Sequence, residues 1–155
     1  MMTSVTDEYV AALRAMLTGD EEYDRLSANL QARDGARSGN VISALAGMAL
    51  FTAARRRFPD GWTNADVVRL VAQARVRFGD VTGDIDTQVA EGTLRGALGD
   101  AAAAENLDKA AMSIAVPALL SVLLDQQGIS GATEIDAFLA DVRPLADAWL
   151  ARQQL

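Results

Sequence analysis

NVISALAGMALFTAARRRF, residues 40–58, is the stretch on which the fold turns. Ile42, Leu45, Ala49 and Ala53 recur at three- and four-residue intervals, the spacing that lines up side chains along one face of an α-helix. Val41, Met48 and Phe51 fill the other side, and a helix that is apolar all round belongs in an interior. The pattern predicts a continuous buried helix over 41–54, in which Met48→Asp would bury an unpaired charge at a cost of several kcal/mol. Gly47 within it costs about 1 kcal/mol against Ala, so on this reading it marks the close approach of another helix. Pro59 and Gly61 in "FPDGW" then break the chain.

A second apolar run, 110–124, sits between Lys109 and Asp125, with Pro117 expected to kink or break it. Both runs are shorter than the ~20 apolar residues of a membrane span. Around these two central segments the remaining helices are amphipathic. The first is predicted from Asp7 to about Thr18, capped by Thr6, stopped by Gly19 and apolar at Val10, Leu13 and Leu17. "DEEYDRLSANLQ" follows, with Tyr23, Leu26 and Leu30 on one face and Gly35 beyond its end. Thr63 or Asn64 opens "ADVVRLVAQARVRF", whose Val67, Leu70, Val71, Ala74 and Phe78 point inward until Gly79 ends it. A helix carrying Val89, Leu94 and Leu98 comes next, weakened by Gly92 and Gly96. A short polar helix leads into the 110–124 run. The last segment opens at Ser130 or Thr133, with Thr133 and Asp136 spaced as a capping box, and bends or splits at Pro144. Leu145, Trp149 and Leu150 keep the chain in the fold beyond that proline. With no strand-like alternation and no linker, the expectation is an all-α fold: a single compact bundle of six to eight helices, one domain over 1–155, with two largely apolar central helices.

Composition narrows function by exclusion. The 155 residues contain no cysteine and no histidine. That removes thiolate chemistry, disulfides, sulfur-bound metals, the commonest general base and the commonest transition-metal ligand. Lys109 is the one lysine beside 13 arginines, a bias that accompanies GC-rich bacterial genomes. The N-terminus MMTSVTDEYVAA has neither a basic nor an apolar signal region, so a cytoplasmic location is expected. The net charge of −7 is uneven: residues 1–50 carry −3, residues 51–80 carry +3 and residues 81–155 carry −7. Such a chain repels nucleic acid and attracts basic proteins, and no helix has the dense positive face that phosphate contacts need.

The densest polar stretch is "GDVTGDIDTQVAEG", 79–92. From Asp80 to Glu91 it has the twelve-residue length of an EF-hand calcium loop, with Asp80, Thr82, Asp84, Asp86, Gln88 and Glu91 at the ligand positions. The sixth position of such a loop needs glycine for its sharp turn, and here it is Ile85. Helix stop and cap account for the same residues: Gly79 ends one helix, Gly83 turns, Asp84 or Asp86 caps the next, and Ile85 points inward. No saturable calcium heat is therefore expected. "LLDQQGIS", 123–130, repeats the Asp-x-x-Gly at Asp125 and Gly128, and "DGARSGNV", 34–41, echoes it faintly. Over these loops alone the chain resembles the outline of paired EF-hand-like units stripped of their ligands.

Arg55–Arg57 suits the last turn of a helix, where cations complement the dipole; with Arg69, Arg75 and Arg77 it is also a candidate patch for phosphate or an acidic partner. Ser43, Ser113 and Ser121 lie in apolar helices without a visible base, and Lys109 stands among Glu105 and Asp108. The reading is therefore a non-enzymatic interaction or regulatory protein (adaptor, immunity- or antitoxin-like, or regulatory subunit). It would take a protein partner, for which the charge favours a basic one, with no cofactor, metal, nucleic acid or membrane. The alternatives are a small apolar-ligand sensor, with Met48, Phe51 and Met112 lining a pocket between 41–54 and 110–124, and a degenerate EF-hand-like calcium-binding protein.

Overall fold

The 40–58 segment is helical, and the helix outruns its apolar stretch, starting at Ala36 and ending at Arg57. The computed structural model describes residues 5–82 and 85–153, the side chains of 79–82 excepted. Eight helices run through them: α1 (Asp7–Thr18), α2 (Glu22–Asp34), α3 (Ala36–Arg57), α4 (Asn64–Thr82), α5 (Thr87–Ala97), α6 (Ala101–Ala104), α7 (Lys109–Gln126) and α8 (Ala132–Gln153). No strand occurs among the described residues. The chain divides into two compact units, Met1–Ala49 with Ile129–Leu155, and Leu50–Gly128, so the division falls inside α3.

Along α3, Val41, Leu45, Ala49 and Ala53 are fully buried, joined by Ala44, Leu50 and Ala54. The helix is nevertheless not buried all round: Ser43 and Gly47 are exposed, and Met48 and Phe51 are half-buried. Nor does Gly47 mark a close approach, since a Cβ built there would meet nothing within 4 Å. Alanine fills much of α3, and small side chains read as apolar on a face that is in fact wet.

In the first unit α1 packs against α2 and α8. Gly19, at φ 68°, ends α1 as expected: its N–H bonds to the Met16 carbonyl, and the Asp20 N–H reaches back to Ala15 at 2.8 Å. This doubly bonded glycine stop satisfies two carbonyls that the helix leaves open. Thr6 stands at the N-cap with extended backbone, but its side chain makes no capping bond. The entry to α1 is instead held by α8. The buried Val5 donates its N–H to Asp147 Oδ1 at 2.7 Å and accepts from Arg143 Nε at 2.9 Å, while Arg143 Nη1 also pairs with Asp7 at 2.7 Å. The expected capping box at Thr133 does not form, because Ile135 N–H already bonds to the Gly131 carbonyl and α8 opens at Ala132. Asp136 serves elsewhere, pairing with Arg14 at 2.7 Å.

In the second unit α4 packs on α5 and α7, and α5 packs on α6 and α7. The Thr-x-x-Asp box appears at the start of α4: Thr63 N–H donates to Asp66 Oδ2 at 2.9 Å and Asp66 N–H to Thr63 Oγ1 at 3.2 Å. Two orphan donors are thereby satisfied reciprocally. Val67, Leu70, Val71 and Ala74 face inward as their spacing predicts. The helix runs on to Thr82, so Gly79 does not stop it. Short α6 ends where Asn106 adopts φ 62°, and Asp108 then caps α7 by accepting from Ala111 N–H at 3.0 Å. Seven residues of α7 are buried, among them Leu119, Leu120 and Leu123.

Neither proline breaks its helix: α7 is continuous through Pro117 and α8 through Pro144. A helical proline frees the carbonyl four residues earlier. Those carbonyls belong to Ser113 and Ala140, both exposed, where water can serve them. By length and composition alone α7, at 18 residues, is long and apolar enough to cross a membrane, a test that the core helix of a soluble protein also passes.

Close helix contact falls at α5 and α6. A Cβ at Gly92 would lie 2.6 Å from the Ala103 carbonyl oxygen, and one at Gly96 would lie 2.6 Å from Ala104 Cβ. The two glycines the sequence marks as weak points are therefore the places where helices touch. Opposite outcomes follow for one substitution. Gly47→Ala, in open space, should raise stability by about 0.4–1 kcal/mol through the unfolded chain, while Gly92→Ala should lower it by about 1–3 kcal/mol through overpacking. Urea midpoints that move in the same direction for both would place the contact wrongly.

Candidate functional site

A cleft of mixed polarity opens in the first unit between α2 and the start of α3, with a volume of about 370 Å³. Its base is apolar, from Leu30 and Ile42, and its walls carry Tyr23, Ser27, Gln31 and Ser43. The junction that shapes it is DGARSG, 34–39. Gly35 takes φ 62° and ψ −136°, a backbone region that essentially only glycine occupies. Gly35 N–H bonds to Gln31 O at 2.8 Å, and Ser38 Oγ donates to Gly35 O at 2.8 Å, so the turn is held from both sides. The walls offer neutral donors and acceptors. They can orient a polar group, but they hold no carboxylate or cation with which to move a proton. The faint "DGARSGNV" echo in the sequence is thus a helix-to-helix corner. Sequence reasoning missed the cleft, and the pair Gly35 and Gly39 was the one available signal.

Beside this corner Tyr9 is buried, and its hydroxyl donates to Asp34 Oδ2. Arg33 pairs with Asp34 at 2.9 Å and with Glu8 at 3.5 Å. Burial, reinforced by the Asp34 carboxylate, raises the Tyr9 pKa to about 12. The Arg33 hydrogen bond, followed by that of Tyr9, holds Asp34 below its ordinary value. Because the folded tyrosine ionises later than an unfolded one near 10, the unfolded chain binds fewer protons between pH 10 and 12. The Tyr9 contribution should be fully present below pH 10 and fall as pH climbs toward 12. Urea unfolding at pH 9 and pH 11 checks this, with Tyr9→Phe removing that part of the decline.

The stretch 79–92 is dismantled by the helices on either side of it. α4 reaches Thr82 and α5 begins at Thr87, so a twelve-residue window from Asp80 to Glu91 starts and ends inside helices. Asp86 is the cap of α5, accepting from Val89 N–H at 3.1 Å, and Ile85 is buried, as the cap reading requires. The side chains of Asp80, Thr82 and Asp84 lie outside the described residues. At the second Asp-x-x-Gly, Asp125 pairs with Arg77 at 3.1 Å.

The arginine run is engaged locally. Arg55 lies over the Phe51 ring at 4.4 Å, Arg57 lies over Phe58 at 4.8 Å, and Arg57 Nε donates to Gln126 Oε1 at 2.9 Å. All three arginines are exposed. No family model, curated protein or solved structure matches the chain. The remaining candidates do not gather. Ser113 Oγ donates to the Lys109 carbonyl of its own helix at 2.9 Å, Lys109 is exposed at the start of α7, and Ser43 lines the cleft. Met48, Phe51 and Met112 are each half-buried, Met48 in the first unit and the other two in the second.

One group stands out that the sequence reading put in the core. Leu145 is 41% exposed and Trp149 38%, one turn apart on α8. Their neighbours Ala146 and Leu150 are buried and anchor the helix beneath them.

Proposed function

We propose that this chain is a non-enzymatic helical binding protein that docks a basic protein partner on its first unit, centred on Leu145 and Trp149. The exposed Leu145–Trp149 pair carries this reading. Tryptophan is the residue most enriched among those that dominate binding energy, often at 2 kcal/mol or more when truncated. Here it sits on a rigid helix whose far side is packed. Charge supports the sign of the partner: Met1–Ala49 with Ile129–Leu155 hold 11 acidic residues against 6 basic ones. The acidic 81–155 stretch is shared between the two units. The first unit carries the larger excess.

The experiment is affinity capture from the source cell with wild-type and Trp149→Ala baits, at low and high salt, read by mass spectrometry. A set of basic proteins retained by wild type, lost with Trp149→Ala and weakened by salt is expected. Captures that are the same for both baits would remove the reading. The small-ligand alternative has the α2–α3 cleft in its favour, although that cleft lies on other residues than Met48, Phe51 and Met112.

A further inference from the structure

We propose that the outward face of α4 is a second docking surface, made for an acidic amphipathic helix of a partner protein. α4 is apolar on two sides. Val67, Leu70, Val71 and Ala74 face the core, while Ala65, Val68, Ala72 and Val76 are all exposed, Val68 at 50% and Val76 at 87%. Their intervals of three, four and four residues place them in one stripe along the helix. Valine is β-branched and ranks below Ala, Leu, Arg, Lys and Glu as a helix former, so local propensity does not account for it on a wet helix face. What does account for it is an apolar surface that a partner covers.

The flanks fix the partner's charge. On the helical wheel Arg69 borders the stripe on one side and Arg75 on the other, both exposed, with Arg69 held 3.7 Å from Asp66. They belong to the one basic segment of the chain, 51–80, with six arginines against three aspartates. An apolar ridge with a guanidinium on each side complements a helix with leucine-like residues at three- and four-residue intervals and carboxylates on either side. Arginine suits these flanks because its planar fork grips a carboxylate through two hydrogen bonds. This surface lies in the other unit from Leu145 and Trp149 and takes a partner of opposite charge, so it goes beyond the function proposed above.

The test uses the full chain and a fluorescein-labelled helical peptide with leucines at three- and four-residue intervals flanked by glutamates. A second peptide carries lysine at each glutamate position. Anisotropy titrations at low salt should show saturable binding of the acidic peptide and none of the basic one. The Arg69→Glu/Arg75→Glu double variant and Val76→Gln should each weaken binding at least about tenfold, which is ~1.4 kcal/mol. Circular dichroism should show wild-type helicity for both variants, since the altered positions face solvent. Trp149→Ala should leave peptide binding unchanged. Equal binding of the lysine peptide, indifference to the α4 variants, or loss with Trp149→Ala would overturn the proposal. So would a dimer in sedimentation that Val76→Gln dissolves, because the occupant would then be a second copy of the chain.

Discussion

Leu45→Asp is expected to cost the first unit most or all of its stability. Leu45 is fully buried in α3, in a turn with buried Val41 and Ala49 on either side of it. Aspartate there leaves a carboxylate without a partner in an apolar surround and removes the packing of the leucine. Loss of a core leucine alone costs about 2–5 kcal/mol, and an uncompensated buried charge costs about 3–5 kcal/mol. Together they approach the 5–15 kcal/mol that holds a typical domain. Met48→Asp, at a half-buried position on the same helix, should cost far less, because its carboxylate can turn to water. Thermal and urea melts of the pair measure the difference. Equal losses at the two positions would mean that α3 is buried all round after all.

That contrast shows how far periodicity reaches. The inward residues of α4 were legible because valine and leucine alternate there with arginine and glutamine, and the contrast in polarity marks the face. In α3 the contrast is missing, since alanine, glycine and serine are small enough to read as interior on any side. Helix starts were legible at Asp7 and at Thr63, and misplaced at α8. Thr63 and Thr133 both precede an aspartate at the third residue, yet only Thr63 makes the reciprocal bonds. At the other end of the chain Gly131 opens α8 before Thr133 is reached. The expectations at the prolines divide in the same way: whether a helix continues through proline depends on what serves the freed carbonyl, and exposure of residues four positions earlier is not visible in the sequence.

The candidate surfaces were less legible than the helices. Carboxylates in 79–92 drew the eye, but a ligand loop needs chain free of helix, and α4 and α5 leave only four residues, 83–86, between them. Leu145 and Trp149 look like core from their size and spacing. Their exposure follows from Ile135, Phe138, Leu139, Val142, Ala146 and Leu150 already filling the buried stripe of α8, which leaves the adjacent pair at its margin. The stripe on α4 is hidden by the same arithmetic, because Val68 and Val76 stand beside better-spaced neighbours.

Truncation after Arg143 should lower stability by several kcal/mol. The twelve residues removed include Ala146 and Leu150, both buried, and a buried leucine alone contributes about 1.5–3 kcal/mol. They also include Asp147, whose Oδ1 accepts the Val5 N–H at 2.7 Å. Val5 is itself buried, so its amide would lose its acceptor at a cost of about 1–3 kcal/mol. The entry to α1 would then hang on Arg143 alone, at what has become a chain end. Three single variants divide the loss. Leu150→Ala should account for the packing, Asp147→Ala for the clamp, and Asp147→Asn should recover much of the latter because the amide oxygen can still accept. Trp149→Ala should be the mildest of the tail substitutions, since more than a third of that side chain is already in water. A truncated chain that melts with the full one would detach 144–155 from the first unit, and a strong loss from Trp149→Ala would return the indole to the core, withdrawing it from the surface on which partner binding is proposed.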